Sequence, residues 1–521
     1  MKINSDVVQS ITSSIALAAQ KGVGLDYTDP NQIFQYVFTV MSIGASLVPI
    51  VGPAFGSIIV LLGQVLFPLH TQDVWASIRA PVEALVDQKI QDYHLKTLEA
   101  KVKGFQENMV AFTSVWQGYE NAGPDIKDRQ AEILRMHHTS FLSVVRTSIP
   151  DFQLEDYAVP ALPWFAFAAN IHITLLANGI NDGVSWGYTD VFVQQTLRPE
   201  FDRKTGSVIA TRADEPSGCS SNTCSGDQGK SELELLADAI TAGESHHWSA
   251  ELLDTWRTAY SALSVQRRGL LAERENENED YPSYIHRQYT RGRSMVKPYP
   301  PGTNQAIENP GITEAAALRT YADYDAEMIM NVLTYAEFWP YLVHGRDMPI
   351  SVQENLDREI FSGPYGRYTE QVPWTASSPP PVTPRVANLT SFIVRAYDDI
   401  DGYRQKWGET WSAQYGSGTA GVAHQVDLRP DEFVKNIDVV FGHKLGSLRF
   451  TSNKGVYGTY GAAKNTAFSP TLDTPAYSLN ASVNRTGYGM SSAYITHWTG
   501  ATPPGCEGIF FGFRPLVLGG V

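Results

Sequence analysis

Two stretches of the chain contain no charged residue, and their patterns differ. The stretch Pro30–Gln72 is interrupted by several Gly and Pro residues, so it predicts two short apolar helices joined by a turn. The stretch Tyr157–Asn181 is unbroken after Pro163. It predicts one helix that is hydrophobic on all sides, which is typical of a helix buried in protein or in a membrane. Extended over Val159–Gly179, we expect it to be long enough to cross roughly 30 Å of hydrocarbon.

Four other segments space their apolar residues three or four apart, which is the pattern of an amphipathic helix. They are Pro81–Tyr119, Asp125–Arg146, Trp248–Leu263 and Leu318–Trp339. On Asp125–Arg146 the predicted apolar face consists of Ile133, Leu134, His137, Phe141 and Val145. Each of these helices has one apolar side to cover, whereas the Tyr157–Asn181 helix has no polar side. A helical bundle around that central hydrophobic helix satisfies both requirements.

The pattern changes in the last part of the chain. Pro373–Arg385, PWTASSPPPVTPR, cannot be helical and predicts a linker. Beyond Val386 the chain has short β-branched and aromatic runs such as SFIVRAY and LGSLRFTS between Gly, Asn and Asp, which predicts an all-β domain. We therefore expect α and β structure in separate domains: a helical bundle over residues 1–350, a linker and first strand over 351–385, and a β domain over 386–521.

Composition excludes several classes of protein. The chain of 521 residues has 40 Lys+Arg against 55 Asp+Glu, for a net charge of −15. It is too acidic to be a general nucleic-acid binder, and its net charge would not attract it to an anionic membrane. Its 3 cysteines exclude a disulfide scaffold. Cys219 and Cys224 either close a small loop or remain free thiols. The N-terminal apolar run is weak and contains Asp6, so no cleaved signal peptide is predicted and we expect a protein produced in soluble form.

The sequence carries no signature of an enzyme. HExxH, GxSxG, Walker A and EF-hand motifs are absent. Gly416–Gly421 matches GxGxxG but precedes a β pattern, so we interpret it as a turn. The pair His137-His138 has the wrong spacing for two ligands of one metal on a helix, and His172 is interpreted as a satisfied core histidine. We expect no catalytic residue, no metal and no cofactor.

Five stretches of the first part fall in the order found in a known family. They are Val82–Asn108, Ile149–Ala177, Trp186–Leu197, Tyr324–Tyr341 and Leu356–Pro364. They resemble the third helix, the turn into the central fifth helix, the sixth helix, the seventh helix and the first strand of domain two in the three-domain Cry toxins, the insecticidal delta-endotoxins. The match is most specific at AAN-x-H, Ala168–His172.

Three stretches of the last part resemble a second family. Phe392–Gly408, Val426–Gly461 and Pro503–Pro515 are similar to jacalin-type lectins, which fold as a β-prism. The second domain of the Cry toxins is itself a β-prism, so the two resemblances agree. The third, β-sandwich domain of the Cry toxins has no counterpart in this sequence.

The first resemblance implies a pore-forming toxin of the insecticidal type, in which a helical hairpin over residues 125–180 inserts into a membrane and oligomerises. The residues predicted to enter the membrane are Val159, Leu162, Trp164, Phe165, Phe167, Ala169, His172, Ile173, Leu175 and Leu176. The charged residues of the Asp125–Arg146 helix of this hairpin would face the water-filled lumen of the pore, because charge that faces lipid is costly. These predicted pore-lining residues are Arg129, Glu132, Arg135 and Arg146.

The second resemblance implies that the prism binds a membrane receptor or glycan on the target cell. Jacalin-type lectins use a loop of Gly, three residues and Asp; here Pro503 and Glu507 occupy those two positions. The predicted receptor- or carbohydrate-binding residues are Asp399, Gly402, Tyr457, Gly505, Cys506 and Glu507. The expected partners are the target-cell membrane, its receptor or glycan, and further copies of the chain in the pore, and the protein would act extracellularly.

Two alternatives remain at this stage. A non-lytic jacalin-type lectin or adhesin with a helical domain would bind sugar without making a membrane leak. An integral membrane protein would use both uncharged stretches as spans, which the amphipathic helices and acidic loops between them disfavour.

Overall fold

The computed structural model describes residues 82, 86, 90–206, 279–296, 310–329, 332, 336, 339–343, 346, 359–366, 389–430, 432–442, 444–462, 477–481, 488–497 and 506–515. Several sequence predictions lie outside these residues, namely those for Pro30–Gln72, Trp248–Leu263, Cys219, Cys224, Pro373–Arg385 and Gly505. The chain divides into two compact units. The first comprises Met1–Ala237, Arg268–Met295 and Met328–Leu356, and the second Asp238–Arg267, Val296–Glu327 and Asp357–Val521.

The described helices are, in chain order, α1 (Asp92–Glu120), α2 (Pro124–Ser148), α3 (Leu162–Asn181), α4 (Asp190–Phe192), α5 (Arg198–Lys204), α6 (Tyr281–Met295) and α7 (Pro310–Met328). A π-helical segment, Val193–Leu197, joins α4 to α5, and short 3₁₀ turns occur at Ile149–Gln153, Glu155–Tyr157, Gly183–Trp186 and Trp339–Tyr341.

The predicted central hydrophobic helix is confirmed as α3. All of its residues except Asn170 and Asn181 are buried. Helices α2, α5 and α6 pack on it, and α1 packs on α2. Pro163 stands in the first turn of α3, where its missing N–H removes no intrahelical hydrogen bond. Helix α3, which has no polar face of its own, thereby covers one side of α2, α5 and α6.

Two predicted helix details are wrong. Val82 and Val86 are helical, but the extended backbone of Gln91 (φ −63°, ψ 144°) interrupts the predicted Pro81–Tyr119 helix, and α1 begins only at Asp92. On α2 the buried histidine is His138, while His137 is exposed.

Among the helices that the structure describes, none is long and apolar enough to cross a membrane. The prediction that residues 159–179 form one apolar helix of spanning length is therefore corrected. Val159 lies in the turn before α3. Asn170, His172, Thr174 and Asn178 within the helix lower its mean hydropathy.

The second unit contains three antiparallel sheets built from twelve described strands. The strands are β1 (Ile360–Gly366), β2 (Leu389–Ala396), β3 (Ile400–Trp407), β4 (Thr410–Trp411), β5 (Tyr415–Gly416), β6 (Val422–Asp427), β7 (Val434–Phe441), β8 (Leu445–Ser452), β9 (Val456–Tyr460), β10 (Tyr477–Ala481), β11 (Tyr488–His497) and β12 (Cys506–Pro515). The strand orders are β1-β12-β11, β10-β7-β8-β9 and β4-β3-β2-β6, with β5 pairing with β3.

One aromatic side chain from each sheet meets in the core of this unit. The ring of Phe450 on β8 lies 4.5 Å from that of Phe392 on β2 and 6.5 Å from that of Phe511 on β12. All three rings are buried. Aromatic pairs at these separations stabilise a fold beyond the area they bury. The three sheets thus share one core, as predicted for a β-prism.

Helix α7 contributes to this unit, although the sequence pattern predicts a helical bundle over residues 1–350. Ala315 and Leu318 of α7 form a buried cluster with Phe361, Tyr494 and Phe510 of the β1-β12-β11 sheet. The guanidinium of Arg319 also donates a 3.1 Å hydrogen bond to the carbonyl of Pro364. The apolar stripe of α7 therefore covers a sheet.

Candidate functional site

Helices α2 and α3 form a helical hairpin (residues 124–181), whose turn contains two short 3₁₀ segments. All ten residues predicted to enter a membrane are at most 7% exposed. They are Val159, Leu162, Trp164, Phe165, Phe167, Ala169, His172, Ile173, Leu175 and Leu176. Nine of them lie on α3 and Val159 lies in the turn. In this state the apolar surface of the hairpin is hidden from water.

The four predicted pore-lining residues lie on the outward side of α2. Arg129 and Glu132 are exposed. Arg135 donates a 2.5 Å hydrogen bond to the carbonyl of Gly187. Arg146 binds Glu200 of α5 through two contacts, one of them 2.8 Å from Nε to Oε1. Arg129 and Glu132 therefore face water, whereas Arg135 binds the turn at Gly187 and Arg146 binds α5.

The acidic turn of the hairpin is paired with bases from other helices. Lys101 of α1 lies 3.1 Å from Asp151. Arg287 and Arg291 of α6 both contact Glu155, the former at 3.6 Å. These side chains are between 36% and 64% exposed, so each pair contributes at most about 1 kcal/mol.

A second polar cluster connects both helices of the hairpin to α5 and α6. The Nδ1 atom of His172 lies 2.5 Å from the Tyr281 hydroxyl, and its Nε2 atom lies 3.4 Å from Glu200 Oε1. Because a tyrosine hydroxyl donates readily, these partners assign the proton of a neutral His172 to Nε2. Complete burial lowers the pKa of His172, against the raising effect of Glu200. The prediction of a satisfied core histidine therefore holds at Nδ1 only, because Nε2 forms no hydrogen bond with any described residue.

The contacts of Glu200 keep it ionised. Burial opposes the charge of this carboxylate, but its contacts with His172 and Arg146 outweigh burial and lower its pKa. Glu200 was not predicted from the sequence, because its partners come from other helices and the local pattern carries no signal of them.

His138 is the other buried histidine of the hairpin. Its Nδ1 atom lies 2.9 Å from the Tyr188 hydroxyl and its Nε2 atom 2.8 Å from the carbonyl of Leu175. The second contact requires the proton on Nε2, so the side chain links α2 to the backbone of α3. Burial lowers the pKa of His138 from 6.5 to about 4, and the Leu175 carbonyl opposes this shift.

We expect acid to destabilise the helical unit through His138. The unfolded chain binds a proton near pH 6.5, whereas the folded chain resists it until about pH 4. The free energy of unfolding is therefore highest above pH 6.5 and falls as the pH drops toward 4, by about 2–3 kcal/mol from this group alone between pH 7.5 and 4.5. Urea unfolding followed by circular dichroism measures this slope. His138→Gln should reduce the fall by about this 2–3 kcal/mol and leave the part that comes from other groups such as His172. An equal slope in this variant would contradict the assignment.

The asparagines of α3 differ in their surroundings. Asn170 Oδ1 accepts a 2.6 Å hydrogen bond from the Trp339 indole, and Asn181 Nδ2 donates to the carbonyl of Leu342 at 3.0 Å. The buried amide of Asn178 has no hydrogen-bond partner among the described residues. The polar side chains of α3 disfavour a single α3 helix in a membrane. Two of them, Asn170 and Asn181, instead form hydrogen bonds with residues outside the hairpin.

The prism carries a charged cluster where β2 turns into β3 and β7 into β8. Lys444 lies 3.1 Å from Asp399. Burial and the neighbouring Asp399 raise the pKa of Asp401, while Lys444 and Arg395 lower it. Gly402 lies on β3 in register with Gly416. Tyr397 is 75% exposed beside this cluster, so this end of the prism offers carboxylates and an aromatic ring together.

Of the other predicted binding residues, Tyr457 lies away from that surface, whereas Cys506 is buried beside it: burial and the charges of Asp401 and Asp399 raise the pKa of the Cys506 thiol. Tyr457 donates a 2.6 Å hydrogen bond to Glu432, which also accepts from Ser452, at the opposite ends of β7 and β8. Cys506 and Glu507, predicted in a loop, lie in β12 and are buried. Cys506 pairs with His497 on β11, so β12 has already begun when the chain reaches Glu507, the residue at the Asp position of the lectin motif. This placement does not support a ligand-contacting role for either side chain.

Comparison with known proteins agrees with both units. A family model described as delta endotoxin, N-terminal domain matches residues 40–205, and a model of the jacalin-like lectin domain matches residues 363–478. The chain is a Cry-toxin-like helical domain followed by a jacalin-like domain. The Cry-toxin-like domain thus includes the hairpin, and the jacalin-like domain includes the charged cluster of Asp399.

Individual relatives are distant. The pesticidal crystal protein Cry7Ab of Bacillus thuringiensis subsp. dakota is 26% identical over 135 residues, which are 26% of this chain and 11% of the relative. Cry8Ca of subsp. japonensis is 27% identical over 146 residues, 27% of this chain and 12% of the relative. The chain therefore aligns with only about a tenth of the length of these curated relatives.

Solved structures share the fold across most of the chain. Bacillus thuringiensis Cry7Ca1 superposes with a TM-score of 0.53 at 13% identity, over 93% of this chain and 75% of that one. PirB superposes with a TM-score of 0.51 at 12% identity, over 94% of both chains. At such low identity these likenesses establish the fold alone.

Proposed function

We propose that this protein is a pore-forming toxin of the insecticidal type, whose helical hairpin leaves the bundle and enters a target membrane. One observation carries the proposal: α3 is buried on all sides within a shell of amphipathic helices. Such a helix can exchange a protein environment for an apolar one, since both satisfy its side chains. The pesticidal names of the Bacillus thuringiensis relatives agree with this function.

The polar residues of α3 determine how insertion would occur. A helix that is too polar to lie alone in hydrocarbon is stable there when its polar side chains face other helices or water. We therefore propose that several hairpins assemble. Asn170, His172 and Asn178 would face neighbouring helices, and Arg129 and Glu132 would face the lumen, joined by Arg135 and Arg146 once their present contacts are released.

The jacalin-like domain would bring the protein to the cell. We propose that it binds a membrane receptor or glycoconjugate through the end that carries Asp399, Asp401 and Tyr397. Carboxylates accept hydrogen bonds from sugar hydroxyls, and an exposed aromatic ring covers the apolar face of a sugar. Binding raises the local concentration of the chain at the membrane, which favours oligomerisation. The protein would act from outside the target cell.

Dye release from liposomes tests this function. The purified full chain would be added to vesicles with and without lipid extracts that carry glycoconjugates, before and after mild trypsin treatment. We expect release, and its dependence on trypsin and on the extract separates activation from the need for a receptor. Absence of release under every condition would contradict pore formation.

The second candidate function is a non-lytic lectin or adhesin. It is favoured by one finding, that no helix among the described residues is long and apolar enough to span a membrane. It predicts binding on a glycan array without dye release, and α3 would then be an ordinary core helix.

A further inference from the structure

The carboxylate of Glu200 contacts both helices of the hairpin from outside it. Its Oε1 atom accepts the 2.8 Å hydrogen bond from Arg146 Nε of α2 and lies 3.4 Å from His172 Nε2 of α3. Its Oε2 atom contacts the Arg146 guanidinium a second time. A fork-to-fork Arg–carboxylate contact is among the strongest and most directional polar contacts.

Because the Glu200 carboxylate is largely buried, its charge needs partners within the protein. Its side chain is 11% exposed, whereas that of Arg146 is 46% exposed. A carboxylate withdrawn from water is costly unless it is paired and hydrogen-bonded. Moving either helix away from α5 removes a partner of this charge, so Glu200 adds to the cost of separating either helix from the bundle.

Other charged groups near the cluster lie outside the hairpin. Lys204 of α5 lies over the Tyr281 ring, 5.0 Å from its centroid. Arg203 of α5 and Asp280 and Glu279, which precede α6, surround the same region. The partners of Glu200 that belong to the hairpin itself are Arg146 and His172.

We infer that Glu200 is a latch residue that holds both helices of the hairpin in the bundle, and that neutralising its carboxylate releases the hairpin. The inference deepens the proposed pore function, on which its biological consequence rests. Glu200 itself would not enter the membrane. It sets how readily the hairpin leaves, and so the rate of insertion.

Hydrogen exchange of the full chain in lipid-free buffer, measured by mass spectrometry, tests the latch without any membrane. Glu200→Gln keeps the size of the side chain and removes its charge. We expect amides of residues 124–181 to exchange about tenfold faster in this variant, because local opening becomes easier. Glu107→Gln, an exposed site on α1, is the matched control and should exchange like the unaltered chain. On phosphatidylcholine vesicles, Glu200→Gln should release dye several-fold faster than the unaltered chain, with about the same final release.

The outcomes separate the latch from the pore. Unchanged exchange of residues 124–181 in Glu200→Gln would overturn the latch, whatever the proteins do on vesicles. Faster exchange across all helices would also overturn it, because the substitution would then have loosened the whole bundle. Faster exchange confined to the hairpin, with no dye release by either protein, would support the latch and contradict pore formation. If Glu200→Gln does not fold, Glu200→Asp retains the charge and retracts it by one methylene; faster exchange of the hairpin in this variant supports the latch, and no change overturns it.

Discussion

Leu175→Asp should abolish cooperative unfolding of the helical unit. Leu175 lies in the middle of α3 and is fully buried. A carboxylate there would have neither water nor a cationic partner, which costs about 4–5 kcal/mol or more. Whole domains are stable by only about 5–15 kcal/mol, so little stability remains. Urea unfolding followed by circular dichroism at 222 nm checks this, because helices dominate that signal.

Leu175→Met is the control, because a swap that conserves volume usually costs less than about 1.5 kcal/mol. A Leu175→Asp chain that unfolds at the urea concentration of the unaltered protein would show that α3 is not the core. A folded Leu175→Asp chain that still released dye would contradict the role of α3 in insertion.

Gly366→Val is expected to disrupt the prism and leave the helical unit folded. Gly366 ends β1 with φ at +95°, a conformation that side chains disfavour. An added Cβ would lie 2.2 Å from the carbonyl oxygen of Glu507 and 2.9 Å from the Cα of Gly508. Both are backbone atoms of β12, so β1 and β12 must separate. We expect a loss of about 3–5 kcal/mol.

Gly455→Val provides the comparison, since an added Cβ at Gly455 meets no atom within 4 Å. Hydrogen exchange of the β11 and β12 peptides should rise in the Gly366 variant and not in the Gly455 variant. Equal protection of β12 in both variants would contradict the pairing of β1 with β12.

The sequence was sufficient for elements whose signal is local. The uncharged run Tyr157–Asn181 predicted α3, because a helix without a polar face can only be buried. The spacing of Leu134, Phe141 and Val145 predicted α2 and its buried side. The adjacent histidines were harder, because 100° on a helix separates them and the inward one depends on the rotation of the apolar face. His137 and His138 lie three and four residues after Leu134, so both are neighbours of its face and that spacing alone does not decide between them.

Contacts between residues that are far apart in the chain could not be predicted from the sequence. Arg146 pairs with a carboxylate 54 residues later, and no periodicity within either helix indicates the other. The same holds for Cys506 and Glu507. Their motif suggested an exposed loop, but their burial follows from strand pairing with β11, which a single sequence does not reveal.

The strand order of the prism has a consequence for synthesis. Strand β12 lies between β1 and β11, so the central strand of this sheet is the last of the described strands to be made. Until it leaves the ribosome, β1 lacks its only described strand partner and exposes the aromatic face that α7 will later help to cover. Pairing between segments so far apart in the chain is intrinsically slow. The jacalin-like domain must therefore complete its fold after translation of β12, while the hairpin of the first domain is fully synthesised long before.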